Sequence, residues 1–220
     1  MERPRPRNAF LIFDALPELM DANQEERPAE GYDFKSASVS PKWEVLISLG
    51  LCAAVGASLV VAPGPEGLLG AFLAALMLAI AVTDAHRYII PNQLTGAAIA
   101  LAFVRASAVD AGINAVLLAA IRIVITTVPF LLLLVGYRRW RGRDGLGLGD
   151  IKLAAVAAAW LNLVTIFAVV ELATLSALGA YVLRGIIQRR PLRTSAMLPF
   201  GLFLAPAIWI GWLIESWLNS

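Results

Sequence analysis

From residue 43 onward the chain alternates long apolar runs with short polar interruptions. The runs cover 43–62, 67–85, 93–109, 112–136, 149–163, 164–187 and 198–218. At 1.5 Å per residue most of them can cross a hydrocarbon core about 30 Å thick, and the fifth is the short one. The interruptions carry turn chemistry: Pro63-Gly64-Pro65-Glu66-Gly67, Ile90-Pro91-Asn92, Asp110-Ala111-Gly112 and a glycine-rich stretch before Asp150. Residues 1–42 differ, mixing arginines, prolines and acids. Their one apolar patch, Ala9 to Phe13, is stopped by Asp14 and is too brief for the core of a signal peptide. The expectation is a cytoplasmic tail, largely disordered from Asp21 to Lys42, whose apolar patch could lie in the interface as a short helix. The pattern predicts an all-α polytopic membrane bundle of about seven transmembrane helices. Its parts are the tail 1–42, an additional N-terminal helix and turn 43–66, and a six-helix core 67–220.

Charge placement orients this bundle. Lys and Arg collect in short cytoplasmic loops. With the N-terminus inside, sixteen of the eighteen cationic residues fall on the inner side, leaving Arg105 near the outer side and Arg122 within the fourth run. An odd number of crossings then puts the C-terminus outside, and the end of the second run and the start of the fifth on the cytoplasmic face. Trp43 and Trp140 at the inner boundary, and Trp212 and Trp217 toward the outer one, fit an aromatic belt. Small residues dominate the third and fifth runs, which suits helices packed inside a bundle. Composition agrees: 59% hydrophobic and 15% charged residues exclude an ordinary soluble domain. The single cysteine, Cys52, can build neither a disulfide framework nor a thiolate zinc site, and is expected to be a small packing residue.

Two acids stand out at the cytoplasmic boundary. Asp84 closes the second run in Thr83-Asp84-Ala85-His86-Arg87-Tyr88-Ile89-Ile90-Pro91-Asn92, and Asp150 closes Gly145-Leu146-Gly147-Leu148-Gly149-Asp150 before Ile151-Lys152. Singly, each has an ordinary explanation: a carboxylate snorkelling at a helix end, or an N-cap before an apolar helix. Together, with a chain break at a fixed offset after one and alternate glycines before the other, they point to a wet cleft. Carboxylates at membrane depth are costly, paired carboxylates can divide acid and base roles, and glycine admits close backbone approach.

The Asp-x-x-Arg-x-x-Ile-Pro-Asn spacing followed by Gly-Leu-Gly-Asp-Ile-Lys resembles the type IV prepilin peptidases, membrane aspartic proteases of bacteria, over about residues 67–218. The resemblance implies that Asp84 and Asp150 are the catalytic pair. It also implies that Gly147 and Gly149 shape the active-site backbone, and that Pro91, Asn92, Lys152, Pro199 and Gly201 shape the cleft. Leu198-Pro199-Phe200-Gly201 looks like the family's C-terminal motif, with Leu202 where many members have a second proline. No metal or other cofactor is implied. The larger bifunctional members carry a zinc domain with paired Cys-x-x-Cys motifs and methylate the new N-terminus. This chain looks like the compact, peptidase-only kind of Tad or Flp pilus assembly, with one added helix, and methyltransferase activity is not implied. The expected function is removal of the leader from prepilins or pseudopilins at the cytoplasmic face of the inner membrane, for pilus assembly or type II-like secretion. The expected partners are that substrate and membrane lipid, compatible with a homo-oligomer and without nucleic acid.

Other readings compete. A presenilin-like intramembrane protease shares Gly-x-Gly-Asp but places its first aspartate in Tyr-Asp, where Thr83 stands here. A proton-coupled transporter could use two membrane acids with Arg122 and Glu171, yet no internal repeat or paired broken helices support it. His86, the one histidine, is expected in solvent, since neither Cys52 nor any Gly-x-Ser-x-Gly motif can complete a triad with it. Arg138-Arg139-Trp140-Arg141-Gly142-Arg143 reads as a topology determinant attracting anionic lipid. Arg122 and Glu171 lie at similar depth and are expected to form a buried structural ion pair. Helix ends further suggest that Asp150, at a helix start, is the ionised base, and that Asp84, at a helix end, is the protonated partner.

Overall fold

The computed structural model describes residues 41–109, 112–141, 147–188 and 199–220. The chain divides into two units, Met1–Glu44 and Val45–Ser220. Of the first, 41–44 begin a helix, and residues 1–40 of the expected cytoplasmic, largely disordered tail lie outside the described residues. The elements are α1 (Pro41–Val61), α2 (Pro65–Arg87), α3 (Asn92–Ala108), α4 (Ile113–Arg141), α5 (Leu148–Trp160), α6 (Leu163–Gln188) and α7 (Gly201–Leu218). Each expected run is a helix, and the described residues contain no strand. The protein is an all-α polytopic membrane bundle. Five helices, α1, α2, α4, α6 and α7, are long and apolar enough to cross a membrane. The 17 residues of α3 and 13 of α5 correspond to about 26 and 20 Å, short of a full crossing.

The short helix α5 is the hub. It packs against α3, α4, α6 and α7, while α2 closes the bundle between α3 and α7. Every residue from Leu153 to Trp160 is buried. The run Ala154-Ala155-Val156-Ala157-Ala158-Ala159 explains this, because small side chains let neighbouring backbones approach where no hydrophobic driving force separates protein from lipid. Packing of α3 uses the same device with Ala98, Ala102 and Ala106.

In contrast, α1 is held chiefly near its C-terminal end. Trp209 Nε1 on α7 donates to Ser58 Oγ at 3.0 Å, and Ala62 is buried beside the following turn. Val45, Leu46 and Leu49 are exposed. Cys52 is also exposed, so it is not the packing residue expected.

The end of α2 that carries Glu66 is tied by polar and aromatic contacts. Arg105 of α3 donates to Glu66 Oε1 through Nη2 at 2.7 Å and Nε at 3.2 Å. Its guanidinium also lies 5.9 Å from the Trp160 ring centroid, within cation–π range. The Trp160 indole donates to the Ala98 carbonyl at 2.9 Å and meets Trp212 edge-on at 6.4 Å. Trp212 is 1% exposed. It therefore belongs to the core and not to an aromatic belt, whereas Trp140 and Trp217 are exposed as a belt requires. Its ring occupies the space that a side chain at position 70 would need, which is why Gly70 can stand there.

Arg122 and Glu171 are not brought together as a buried pair. Glu171 is exposed on α6, and α4 packs on α3 and α5 while α6 packs on α7 and α5. The depths agreed by residue count, but the two helices pack on different neighbours. Arg122 instead lines a groove of about 750 Å3 with Leu118, Asn162 and Leu218.

Candidate active site

The site lies at the other end of α2, about 27 Å from Glu66 by helix rise. Asp84 falls in the last turn of α2, which continues through Arg87. The helix is stopped by Tyr88 at φ 55°, ψ 31°, a left-handed conformation unusual for a residue with a side chain. Its amide donates to the Asp84 carbonyl at 2.9 Å, an αL cap built on the aspartate's own peptide. Pro91, with φ −66°, then serves as the N-cap residue of α3. The chain is thus fixed on both sides of Ile89-Ile90. His86 and Arg87 are exposed.

Asp150 comes from α5. It is not the N-cap residue of the ordinary explanation: Gly147 occupies that position, and Asp150 is the third helical residue, half-buried in the first turn. Asp84 is 5% exposed, one of few buried polar residues in the bundle. The two carboxyl groups, from different helices, are near enough to interact electrostatically. Neither forms an ion pair with a described residue, because Lys152 Nζ turns away to Asn92 Oδ1 at 2.6 Å.

A third element completes the site. The Leu202 amide, in the first turn of α7, donates to Asp84 Oδ2 at 3.0 Å. A Cβ at Gly201 would lie 2.8 Å from the same oxygen, so only glycine lets α7 approach this closely. The helix-end expectation set the start of α5 at Asp150 against the end of α2 at Asp84, and at Asp84 it left out the start of α7. At Asp84 the carbonyl end of α2, which disfavours a carboxylate, is opposed by an amide of α7, which favours one. Helix ends therefore do not divide the roles of the two acids.

Asp84, Asp150, Gly147, Gly149, Lys152, Pro91, Asn92, Pro199 and Gly201 thus all belong to the turns and helix ends meeting here. Leu198 of the Leu-Pro-Phe-Gly motif lies outside the described residues. Sequence reasoning missed Tyr88, Ile90 and Leu202. Tyr88 and Leu202 act through their backbones, which leave no side-chain signature, and Ile90 was read only as part of the Ile-Pro-Asn chain break, with no role for its side chain. Among the described residues no group of three His, Cys, Asp or Glu could hold a metal ion. What the arrangement offers is a buried and a half-buried carboxyl beside open backbone, with Asn92 and Gly147 exposed at its rim.

Residues 71–183 match the type IV leader peptidase family. Similar curated proteins include the prepilin leader peptidase/N-methyltransferase of Aeromonas hydrophila, 30% identical over 190 residues covering 84% of this chain and 61% of that protein. Leader peptidase HopD of Escherichia coli is 41% identical over 78 residues, 35% of this chain and 50% of its own length. A prepilin leader peptidase/N-methyltransferase of Escherichia coli K12 is 35% identical over 77 residues, 35% of this chain and 33% of its own. The chain therefore spans about three fifths of the first of these relatives. No solved structure matches it.

Proposed function

The chain belongs to the type IV leader peptidase family, and from that premise we propose that it is an aspartic endopeptidase that removes the leader from prepilins or pseudopilins. The observation that carries this reading is the convergence of Asp84 and Asp150, from two helices, on one end of the bundle, near enough to interact and with no described cation paired to either. In this reaction one carboxylate takes a proton from a water as its oxygen attacks the scissile carbonyl. The other carboxyl gives its proton to the carbonyl oxygen. As the tetrahedral species collapses, the first carboxyl passes the proton it took from water to the leaving nitrogen and the second takes one back from a hydroxyl, so the amine of the mature pilin departs and both acids are restored. Neither metal nor covalent intermediate is required. Gly147 leaves the Asp150 carboxyl uncovered, since a Cβ there would lie 3.3 Å from Oδ2, and the Leu202 amide holds the Asp84 carboxyl in place.

The active end faces the cytoplasm in this reading, with the N-terminus inside and the C-terminus outside, since the cationic residues collect there. The substrate's leader reaches the acids from that side while its hydrophobic helix stays in lipid. Pilus assembly or a type II-like secretion system is the setting. Methyl transfer, which the names of two of the relatives above include, is not part of this reading. Detergent-solubilised protein incubated with a class III-type prepilin tests it by mass spectrometry. Cleavage after the leader glycine, with an unmethylated new N-terminus, is expected. Cleavage within the hydrophobic helix would assign the chain to presenilin-like chemistry, and no cleavage would contradict peptidase action on this substrate.

A further inference from the structure

Ile90 is 8% exposed in a turn whose surroundings are mostly open to solvent. Its backbone has little freedom: Tyr88 caps α2 in the left-handed region, and Pro91 restricts the residue before it to extended conformations. The side chain therefore points where the turn aims it. It points between two helix starts. A Cβ at Gly149 would lie 2.9 Å from Ile90 Cδ1, 3.3 Å from Cγ1 and 3.4 Å from Cβ, and a Cβ at Gly201 would lie 3.0 Å from the same Cδ1. One methyl group thus touches the backbone before Asp150 and the backbone that holds Asp84. On the other side of the turn, the Lys152–Asn92 hydrogen bond ties α5 to α3.

We propose that Ile90 is a positioning residue that sets the separation of the two aspartates, and that residue 149 must be glycine because Ile90 is wedged against it. The inference rests on the peptidase reading above for its kinetic readout. A methyl at either end of a flexible side chain could step aside, but Ile90 is clamped between α5 and α7. Adding a Cβ at position 149 therefore pushes α5, and Asp150 with it, away from Asp84. At position 201 the obstacle is different, because the closest atoms are Oδ2 and Cγ of Asp84 itself, at 2.8 and 3.0 Å.

That difference provides the test, made on the full chain in detergent with a class III-type prepilin. Gly149→Ala is expected to lower kcat about 100-fold with KM within about two-fold, as for an ångström-scale misplacement of a reacting group. Ile90→Val removes Cδ1 and, combined with Gly149→Ala, is expected to restore kcat to within about ten-fold of wild type. It is expected to leave Gly201→Ala unrescued. The proposal is overturned if Ile90→Val fails to raise the activity of a folded Gly149→Ala protein, or rescues both glycine variants equally. Should Gly149→Ala not fold, recovery of monodisperse protein on adding Ile90→Val is the same test, and its failure the same refutation. If wild type does not cleave prepilin, the peptidase reading fails separately. Melting temperatures of the same four variants still decide the coupling, with rescue at 149 and none at 201 expected.

Discussion

The two ends of α2 treat their acids in opposite ways. Glu66 is matched by the fork of Arg105, and Arg105 rests against Trp160, which in turn meets Trp212 over Gly70. Asp84 receives an amide from Leu202 and faces a second acid, while Lys152, the cation two residues past Asp150, bonds to Asn92. One end pairs an acid with a cation, while the other brings two acids together with no described cation paired to either. Removing a partner at the Glu66 end should therefore cost stability, whereas removing an acid at the Asp84 end should cost rate.

The largest effect expected at the Glu66 end is from Gly70→Ala. The added Cβ falls within the Trp212 ring, which is 1% exposed and has no room to retreat. Overpacking of this kind costs about 3 kcal/mol, seen as a lower denaturation midpoint, with kcat on prepilin unchanged in the folded fraction. Glu66→Gln takes one carboxylate from the fork of the partly buried Arg105. With side-chain exposures of 28% and 18%, the loss falls between the surface and buried limits, about 1–3 kcal/mol, again without a change in kcat. Ser58→Ala removes the acceptor of the Trp209 indole and should cost about 1 kcal/mol. A fall in kcat matching any of these losses of stability would break the division between the two ends.

Much of this comparison was legible in the sequence, and what was not has a common cause. Hydropathy located the seven described helices to within a few residues, because a membrane segment announces itself by length and its turns by Pro and Gly. The two motifs marked Asp84 and Asp150, since acids at membrane depth are rare. Azimuth was not legible. In lipid a helix is apolar on its packed and its exposed faces alike, so periodicity does not tell which way a side chain points. Arg122 and Glu171 were therefore expected to pair on depth alone, while the ion pair formed by Glu66 and Arg105 went unnoticed, and Trp212 was assigned to the boundary when it faces the core. Backbone contributions were equally silent. The Leu202 amide reaches Asp84 across 118 residues of chain, and only the fold brings it there.

The most direct test of the central claim is pilin processing in cells carrying Asp84→Asn or Asp150→Asn, read beside the melting temperature of each purified variant. The account predicts a fall in processing of at least about 10²–10⁴-fold for each, the range of a lost general acid or base, while both proteins melt no lower than wild type. Mature pilin appearing at the normal rate with either substitution would contradict it.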